Sequence, residues 1–218
     1  MTSHVSFWRA NGLSLVLGAF FVVFLLGQFA SGFLAWNAQL QQAGQAPVGL
    51  AAYAHSGHFI AATFENWESE FLQMGAYVLL TVWLRQRGSA ESRPLDEAED
   101  ARRVDAGPRP WPVRRGGLWQ RLYATSLSLA LFVLFAASFA GHLYGSWRHA
   151  VDERALQGQP PITLPAHLGS AEFWFESFQN WQSEFLAVLA LVLLSIVLRQ
   201  DTSPESKPLE APHAQTGD

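Results

Sequence analysis

Two short polar motifs stand out in an otherwise apolar sequence. Asn66 and Glu70 are four residues apart, and Asn180 and Glu184 repeat that spacing. Residues four apart share one face of an α-helix, so each pair would present an amide and a carboxylate together. Each carboxylate directly precedes a long apolar run, where an ionised group is costly unless it is paired, protonated or in contact with water. The motifs predict either a site that binds a cation or relays protons, or carboxylates that cap a helix end or lie in headgroup water.

The rest of the sequence limits the chemistry of such a site. Glu65 and Glu68 of the first motif correspond to Gln179 and Gln182 in the second, so a symmetric metal site built from several carboxylates is not expected. The chain has no cysteine, which excludes disulfides and thiolate ligands. The sequence contains no phosphate-binding loop, nucleophile elbow or zinc-protease motif. We therefore expect neither enzyme activity nor a cofactor.

One histidine, His142, lies inside an apolar segment. A membrane cytochrome needs facing histidines within its helices, so a haem site is not expected here. His55 and His58 correspond to Gly169 and Glu172, which argues against a metal site in the loops. His142 occupies the position equivalent to Gln28, and an interhelical hydrogen bond is its expected role.

The elements that must hold these residues are membrane-spanning helices. Hydrophobic residues make up 50% of the chain and charged residues 15%, against about a quarter charged in soluble domains. Two of the four apolar runs have only fourteen residues. Because a span needs about 20 residues, these two helices must extend outward through Trp67 and Trp181. The apolar runs are residues 13–36, 71–84, 122–147 and 185–198.

An internal repeat organises the chain. The two polar motifs are 114 residues apart, and the same offset aligns, without a gap, residues in helices, loops and the segments that follow. The repeat predicts a two-helix unit at 1–95 and another at 122–209, with a basic, proline-containing linker at 96–121 and a disordered tail at 210–218. Prolines 108, 110 and 112 are expected to end any helix in the linker. Units with two helices begin and end on one side of the membrane, which makes the repeats parallel.

Positive charge predicts the orientation. Nine arginines lie between residues 85 and 121, whereas residues 37–58 contain no lysine or arginine. Both termini and the linker should therefore be cytoplasmic, in a multi-pass protein of a cell inner membrane. Tryptophans at the outer helix ends are expected to anchor the interface: Trp36, Trp67, Trp147 and Trp181.

Small residues four apart predict where helices pack closely. Gly27 with Ser31, and Gly141 with Gly145, form a small-xxx-small pattern in the first and third helices. Such spacing allows backbones to approach each other in lipid. We expect a helix-packing seam here, which could also serve in a homodimer.

Several of these segments resemble a bacterial family of membrane proteins, the DUF6766 family. The resemblance is carried by Asn11 to Leu15, Gly27-Gln28, Glu65 to Gln73 and Arg87 to Arg93. The second half departs from the pattern at Gln179, Ala187 and Asp201-Thr202. The resemblance covers nearly the whole chain and implies a polytopic membrane architecture, but it implies no activity.

The sequence thus predicts an all-α protein with four transmembrane helices in two tandem repeats. The first functional hypothesis is a non-enzymatic accessory protein that presents its Asn-Trp-x-Ser-Glu motifs outward and its basic linker to anionic lipid or a protein partner. The alternative is a small proton or cation transporter or channel that uses Glu70 and Glu184. Burial separates the two, because a transporter needs these carboxylates in a water-accessible cavity. The bilayer is the expected partner, and a nucleic acid is not.

Overall fold

The computed structural model describes residues 6–95 and 107–217, and over these two ranges the regular structure is entirely helical. Eight α-helices follow one another in this described part of the chain: α1 Phe7–Gln42, α2 Leu50–Ala54, α3 Gly57–Leu80, α4 Trp111–Arg115, α5 Gly117–Ala124, α6 Ser126–Leu156, α7 Leu164–Leu168 and α8 Ala171–Val197.

Three of the described helices, α1, α6 and α8, are long and apolar enough to cross a membrane. The fourth predicted span, α3, has 24 residues. Its apolar part is short because Glu65, Glu68 and Glu70 lie around its middle and the helix ends at Leu80. The predicted outward extension is present, since α3 passes through Trp67 and α8 through Trp181. That α3 itself crosses the membrane stays a prediction.

The chain divides into two compact units, and the first combines Met1–Thr63 with Tyr144–His167. Its core is formed by Trp36, Leu40 and Tyr53. The buried amide of Asn37 holds the loop after α1 in place: Val48 N donates to Asn37 Oδ1 at 2.7 Å, and Asn37 Nδ2 donates to Val48 O at 3.1 Å. A side-chain amide here completes hydrogen bonds that a loop backbone would otherwise leave unmade.

The second unit combines Phe64–Leu143 with Leu168–Asp218. It contains most of α3, all of α8 and the segments that follow these two helices. Within it, Lys207 is 1% exposed and donates to the carbonyl oxygens of Gly88, His213 and Gln215. Burial, and then the nearby Arg199 charge, lower the pKa of the Lys207 ammonium. These contacts oppose the disorder that composition predicts for the tail.

The helix ends are fixed by side chains. Ser56 Oγ accepts a hydrogen bond from Phe59 N at the start of α3, and Ser170 Oγ accepts one from Phe173 N at the start of α8. Serine is a preferred residue at this position because its oxygen pairs with a helix N–H that has no backbone partner. After α3, Arg85 donates to the carbonyls of Thr81, Val82 and Leu84. Arg199 makes the equivalent three bonds after α8.

The linker is only partly described. Residues 96–106, and with them the predicted mixed-charge stretch, lie outside the described residues. The prolines do not prevent a helix after residue 107, because α4 begins at Trp111 and has Pro112 in its first turn. Proline is tolerated there since the N–H groups of a first turn have no partner within the helix.

Candidate functional site

A buried acid–base pair lies within the second unit. His142 on α6 and Glu68 on α3 are both 0% exposed, and His142 Nδ1 is 3.0 Å from Glu68 Oε2. An ionised carboxylate only accepts hydrogen bonds, so it holds a proton on Nδ1 of the histidine. Charged groups are rarely fully buried unless they are paired. The pair is therefore a costly feature to bury, and each residue depends on the other as its partner.

One face of α8 supports this pair. Phe173 stacks on His142, with ring centroids 5.0 Å apart, and Trp181 Nε1 donates to Glu68 Oε1 at 3.0 Å. Phe173, Ser177 and Trp181 are spaced by four residues and therefore share one helix face. Both oxygens of Glu68 thus have a hydrogen-bond partner on an aromatic ring, one on His142 and one on Trp181.

A second carboxylate approaches the other side of the histidine. Glu176 Oε2 is 3.9 Å from His142 Nε2, and the Glu176 side chain is 41% exposed. Glu65 lies nearby and accepts a hydrogen bond from Asn180 Nδ2. Exposure falls from Glu176 to His142 and Glu68, so the three groups form a sequence from the surface to the interior.

Polar side chains continue from Glu68 along α3. Ser69 and Gln73 are buried, and with Tyr77 they form a stripe at four-residue spacing. Tyr77 donates to the Glu91 carboxylate at 3.0 Å. At about 1.5 Å per residue, the stripe covers about 13 Å between Glu68 and Tyr77. It runs along α3 toward the segment that the sequence predicts to be cytoplasmic.

The structure separates the residues of the two predicted motifs. Asn66 and Glu70 are exposed on α3, whereas Glu184 on α8 is half-buried. The charges of Glu70 and Glu184 lie close enough to interact. Asn180 points to Glu65 instead of sharing a site with Glu184. The fully buried carboxylate is instead Glu68, two residues before Glu70.

The four tryptophans predicted as interfacial anchors have specific contacts. Trp36 is buried in the core of the first unit, and Trp147 Nε1 donates to Ile162 O at 2.9 Å in the same unit. In the second unit, Trp67 packs edge-on against Phe64. Trp181 donates its indole hydrogen bond to Glu68. The tryptophans thus have partners inside the protein, and their role as interfacial anchors stays a prediction.

Of the three seam glycines, Gly145 lies against the backbone of another helix and Gly141 lies against an aromatic side chain. A Cβ at Gly145 would meet Ala61 N and would lie 2.7 Å from Ile60 Cγ2, and one at Gly141 would lie 2.6 Å from the Phe64 ring. A Cβ at Gly27 would meet nothing within 4 Å. Ser31 Oγ donates to Gly27 O within its own helix.

The sequence did contain a signal for the buried site, in the differences between the repeats. Every ionisable member of the cluster has a neutral counterpart 114 residues away. Glu70 and Glu184 are identical in the two repeats, which is why the repeat points to them. The residues of the buried cluster instead differ between the two repeats. The counterparts are Gln179 for Glu65, Gln182 for Glu68, Gln28 for His142 and Ala62 for Glu176.

Among the described residues, no group of three or more histidine, aspartate or glutamate side chains is placed to hold a metal ion.

Comparison with known proteins assigns the chain to a family. No curated protein and no solved structure matches the chain. A family model described as a domain of unknown function, DUF6766, matches residues 4–218. The chain therefore belongs to the DUF6766 family.

Proposed function

We propose that this chain is a proton-conducting protein of a bacterial inner membrane and that Glu176, His142 and Glu68 form its proton relay. The observation that carries the proposal is the position of His142, fully buried in a helix able to span a membrane and placed between two carboxylates. Ionisable groups within a membrane are costly and mark proton or ion pathways. The proposal moves the transport hypothesis from Glu70 and Glu184 to this cluster.

The relay follows from the two nitrogens of the imidazole. Glu176, at the partly exposed end, takes a proton from water and delivers it to His142 Nε2. The imidazolium then releases its Nδ1 proton to Glu68 Oε2, which returns the ring to the neutral state with one proton transferred. The stripe of Ser69, Gln73 and Tyr77 continues in the direction of Glu91.

The proposal includes four spans in two parallel repeats, with α3 as the fourth span and both termini in the cytoplasm. Hydrogen bonds that recur at the 114-residue offset support the duplication. Gln86 N donates to Ser92 Oγ and Gln200 N donates to Ser206 Oγ, both at 2.9 Å. The Ser56 and Ser170 helix caps, and the Arg85 and Arg199 caps, are further examples. A repeated sequence that forms the same local bonds is the expected result of a tandem duplication.

Proton flux tests the proposal. Purified protein is reconstituted into vesicles that contain a pH-sensitive dye, and an acid step is applied outside. We expect the wild type to acidify the vesicles faster than protein-free vesicles, and Glu176→Gln to slow this rate by about a hundredfold, the usual scale for a positioned acid–base group. Glu172→Gln is the matched control, since Glu172 is an exposed carboxylate on the same helix. Equal rates for the two variants would reject the relay.

A second candidate function is a membrane-embedded accessory protein, and the exposure of α3 favours it. Asn66, Glu70 and Met74 lie four residues apart and are all exposed. A polar face on a spanning helix is stable only against a partner or water. The face thus suits a protein partner or a second copy of the chain. Cross-linking in native membranes from a cysteine at Asn66 tests this function, and exclusively monomeric, partner-free protein would contradict it.

The described part of the linker suits the membrane surface. Arg115 lies over the rings of Trp111 and Trp119, at 5.4 and 5.7 Å from their centroids. Both tryptophans are exposed, as are Leu118 and Leu122. Exposed tryptophans beside arginines are typical of segments that bind anionic lipid headgroups. Quenching of Trp111 and Trp119 fluorescence by brominated anionic lipids would test this contact.

A further inference from the structure

The first unit contains a hydrogen bond between two residues whose counterparts in the second unit are of different types. In the first unit, Gln28 Nε2 on α1 donates to Thr63 Oγ1 on α3 at 3.3 Å. The residues 114 positions further on are His142 on α6 and Ser177 on α8. A long amide and a hydroxyl are thus replaced by an imidazole and a hydroxyl. The bond between helices in the first unit indicates that the equivalent pair in the second is close in space.

Contacts on either side of Ser177 support this placement. Phe173, one turn before Ser177, stacks on His142, and Trp181, one turn after it, donates to Glu68. Ser177 lies between these two residues on the same face of α8. Its side chain is 0% exposed, and both its neighbours on this face contact the His142–Glu68 pair.

Two polar atoms at this place have no protein partner. Neither His142 Nε2 nor Ser177 Oγ forms a hydrogen bond with another protein group, although both are buried. His142 Nδ1 is already engaged by Glu68, and Glu176 Oε2 is 3.9 Å from Nε2, beyond hydrogen-bond distance. Leaving such buried groups unpaired is costly, because they lose hydrogen bonds to water and gain none in the protein.

We propose that Ser177 Oγ and His142 Nε2 together bind one water molecule, which bridges His142 to Glu176 and carries the proton between them. This inference rests on the proposed relay. A water can donate to Nε2 and accept from both the Ser177 hydroxyl and the protonated Glu176 carboxyl group, which gives it the two to four polar partners that buried waters have. A bridge of this kind spans a separation that is too long for a direct bond.

The proton step then balances without a further reactant. Glu176 gives its proton to the water while the water gives one of its own to Nε2, so that the water is restored. Ser177 loses and gains no proton and acts as a positioning residue that holds the water. Gln28 needs no such water because its longer side chain reaches Thr63 directly.

The experiment compares two variants of position 177 that have the same side-chain shape and differ in the hydroxyl, Ser177→Val and Ser177→Thr. Ser177→Val removes the hydroxyl, Ser177→Thr restores it and introduces the residue found at position 63, and Thr63→Val is the matched control in the first unit. In the vesicle assay, we expect Ser177→Val to slow proton flux about tenfold or more, as expected when a reacting group loses its position. Ser177→Thr and Thr63→Val should keep the wild-type rate.

A measurement independent of flux detects the water itself. Infrared difference spectra between low and high pH should show an O–H stretch that shifts when water labelled with heavy oxygen is used. The band should be present in the wild type and in Ser177→Thr and absent in Ser177→Val. Its presence in Ser177→Val, or unchanged flux in that variant, would overturn the water site while leaving the relay intact. Unchanged flux in His142→Gln would instead reject the relay.

Discussion

At the scale of single residues, Glu68 and His142 depend on each other. Removing one partner of a buried ion pair leaves the other charge without compensation and costs about 3–5 kcal/mol. We expect Glu68→Gln or His142→Gln alone to lower the free energy of unfolding by that order. The double variant should lose less than the sum, because Gln182 and Gln28 show that glutamine occupies the equivalent positions.

A double-mutant cycle measures this coupling. Unfolding free energies are determined in mixed detergent micelles for the wild type, the two single variants and the double variant. Additive losses would show that Glu68 and His142 stabilise the fold independently, which contradicts the pair.

Gly145 and Gly27 give a second prediction at this scale. Gly145→Ala should lower the free energy of unfolding by about 1–3 kcal/mol, because its methyl group would collide with Ala61 and Ile60. Gly27→Ala should leave stability unchanged or raise it by up to about 1 kcal/mol, since alanine favours the helix and nothing lies within 4 Å. Thermal unfolding in detergent compares the two, and equal losses would reject the assignment of close packing to Gly145.

The sequence predicted a hydrogen-bonding role for His142 but did not identify its partner. His142 was expected to make an interhelical hydrogen bond, and it does so with Glu68. The partner could not be predicted because 74 residues separate the two and their approach depends on how α3 and α6 pack. Glu68 also lies beside the repeated Glu70, and a repeat directs attention to what the halves share.

At the scale of elements, helix lengths followed from hydrophobicity and from the thickness of a bilayer. The two short apolar runs were expected to extend through Trp67 and Trp181, and α3 and α8 do so. The short helices α2 and α7 were not expected, because five-residue turns carry no apolar periodicity. The break at Thr125 between α5 and α6 was missed for a similar reason, since apolar residues continue across it.

The attachment of the C-terminal tail depends on Lys207. Lys207 Nζ donates to Gly88, Pro212, His213 and Gln215, so Lys207→Met should release the tail from the second unit. We expect backbone amides of residues 213–217 to exchange with deuterium at least about tenfold faster, which corresponds to a loss of roughly 1.4 kcal/mol of local stability. Glu210→Gln is the control, because Glu210 is exposed. Equal exchange in both variants would mean that Lys207 does not hold the tail.

At the scale of the whole molecule, four spans predict a definite labelling pattern. The chain contains no cysteine, so single cysteines can be introduced without a background. In intact spheroplasts, an impermeant maleimide should label cysteines at the exposed positions Gln45 and Gln159 and should not label those at Arg109 and Glu210. Labelling of Gln45 and Arg109 from opposite sides requires α3 to cross the membrane. Labelling of both from one side would leave the chain with three spans.

The central claim is that protons pass through His142 and its two carboxylates and that Glu70 and Glu184 take no part. The most direct measurement compares acid-driven proton flux in vesicles for His142→Gln and for the Glu70→Gln, Glu184→Gln double variant, each verified as folded and correctly oriented. We predict that His142→Gln reduces the flux to that of protein-free vesicles and that the double variant keeps the wild-type rate. Flux that survives in His142→Gln but is lost in the double variant would contradict the account and return the site to the repeated carboxylates.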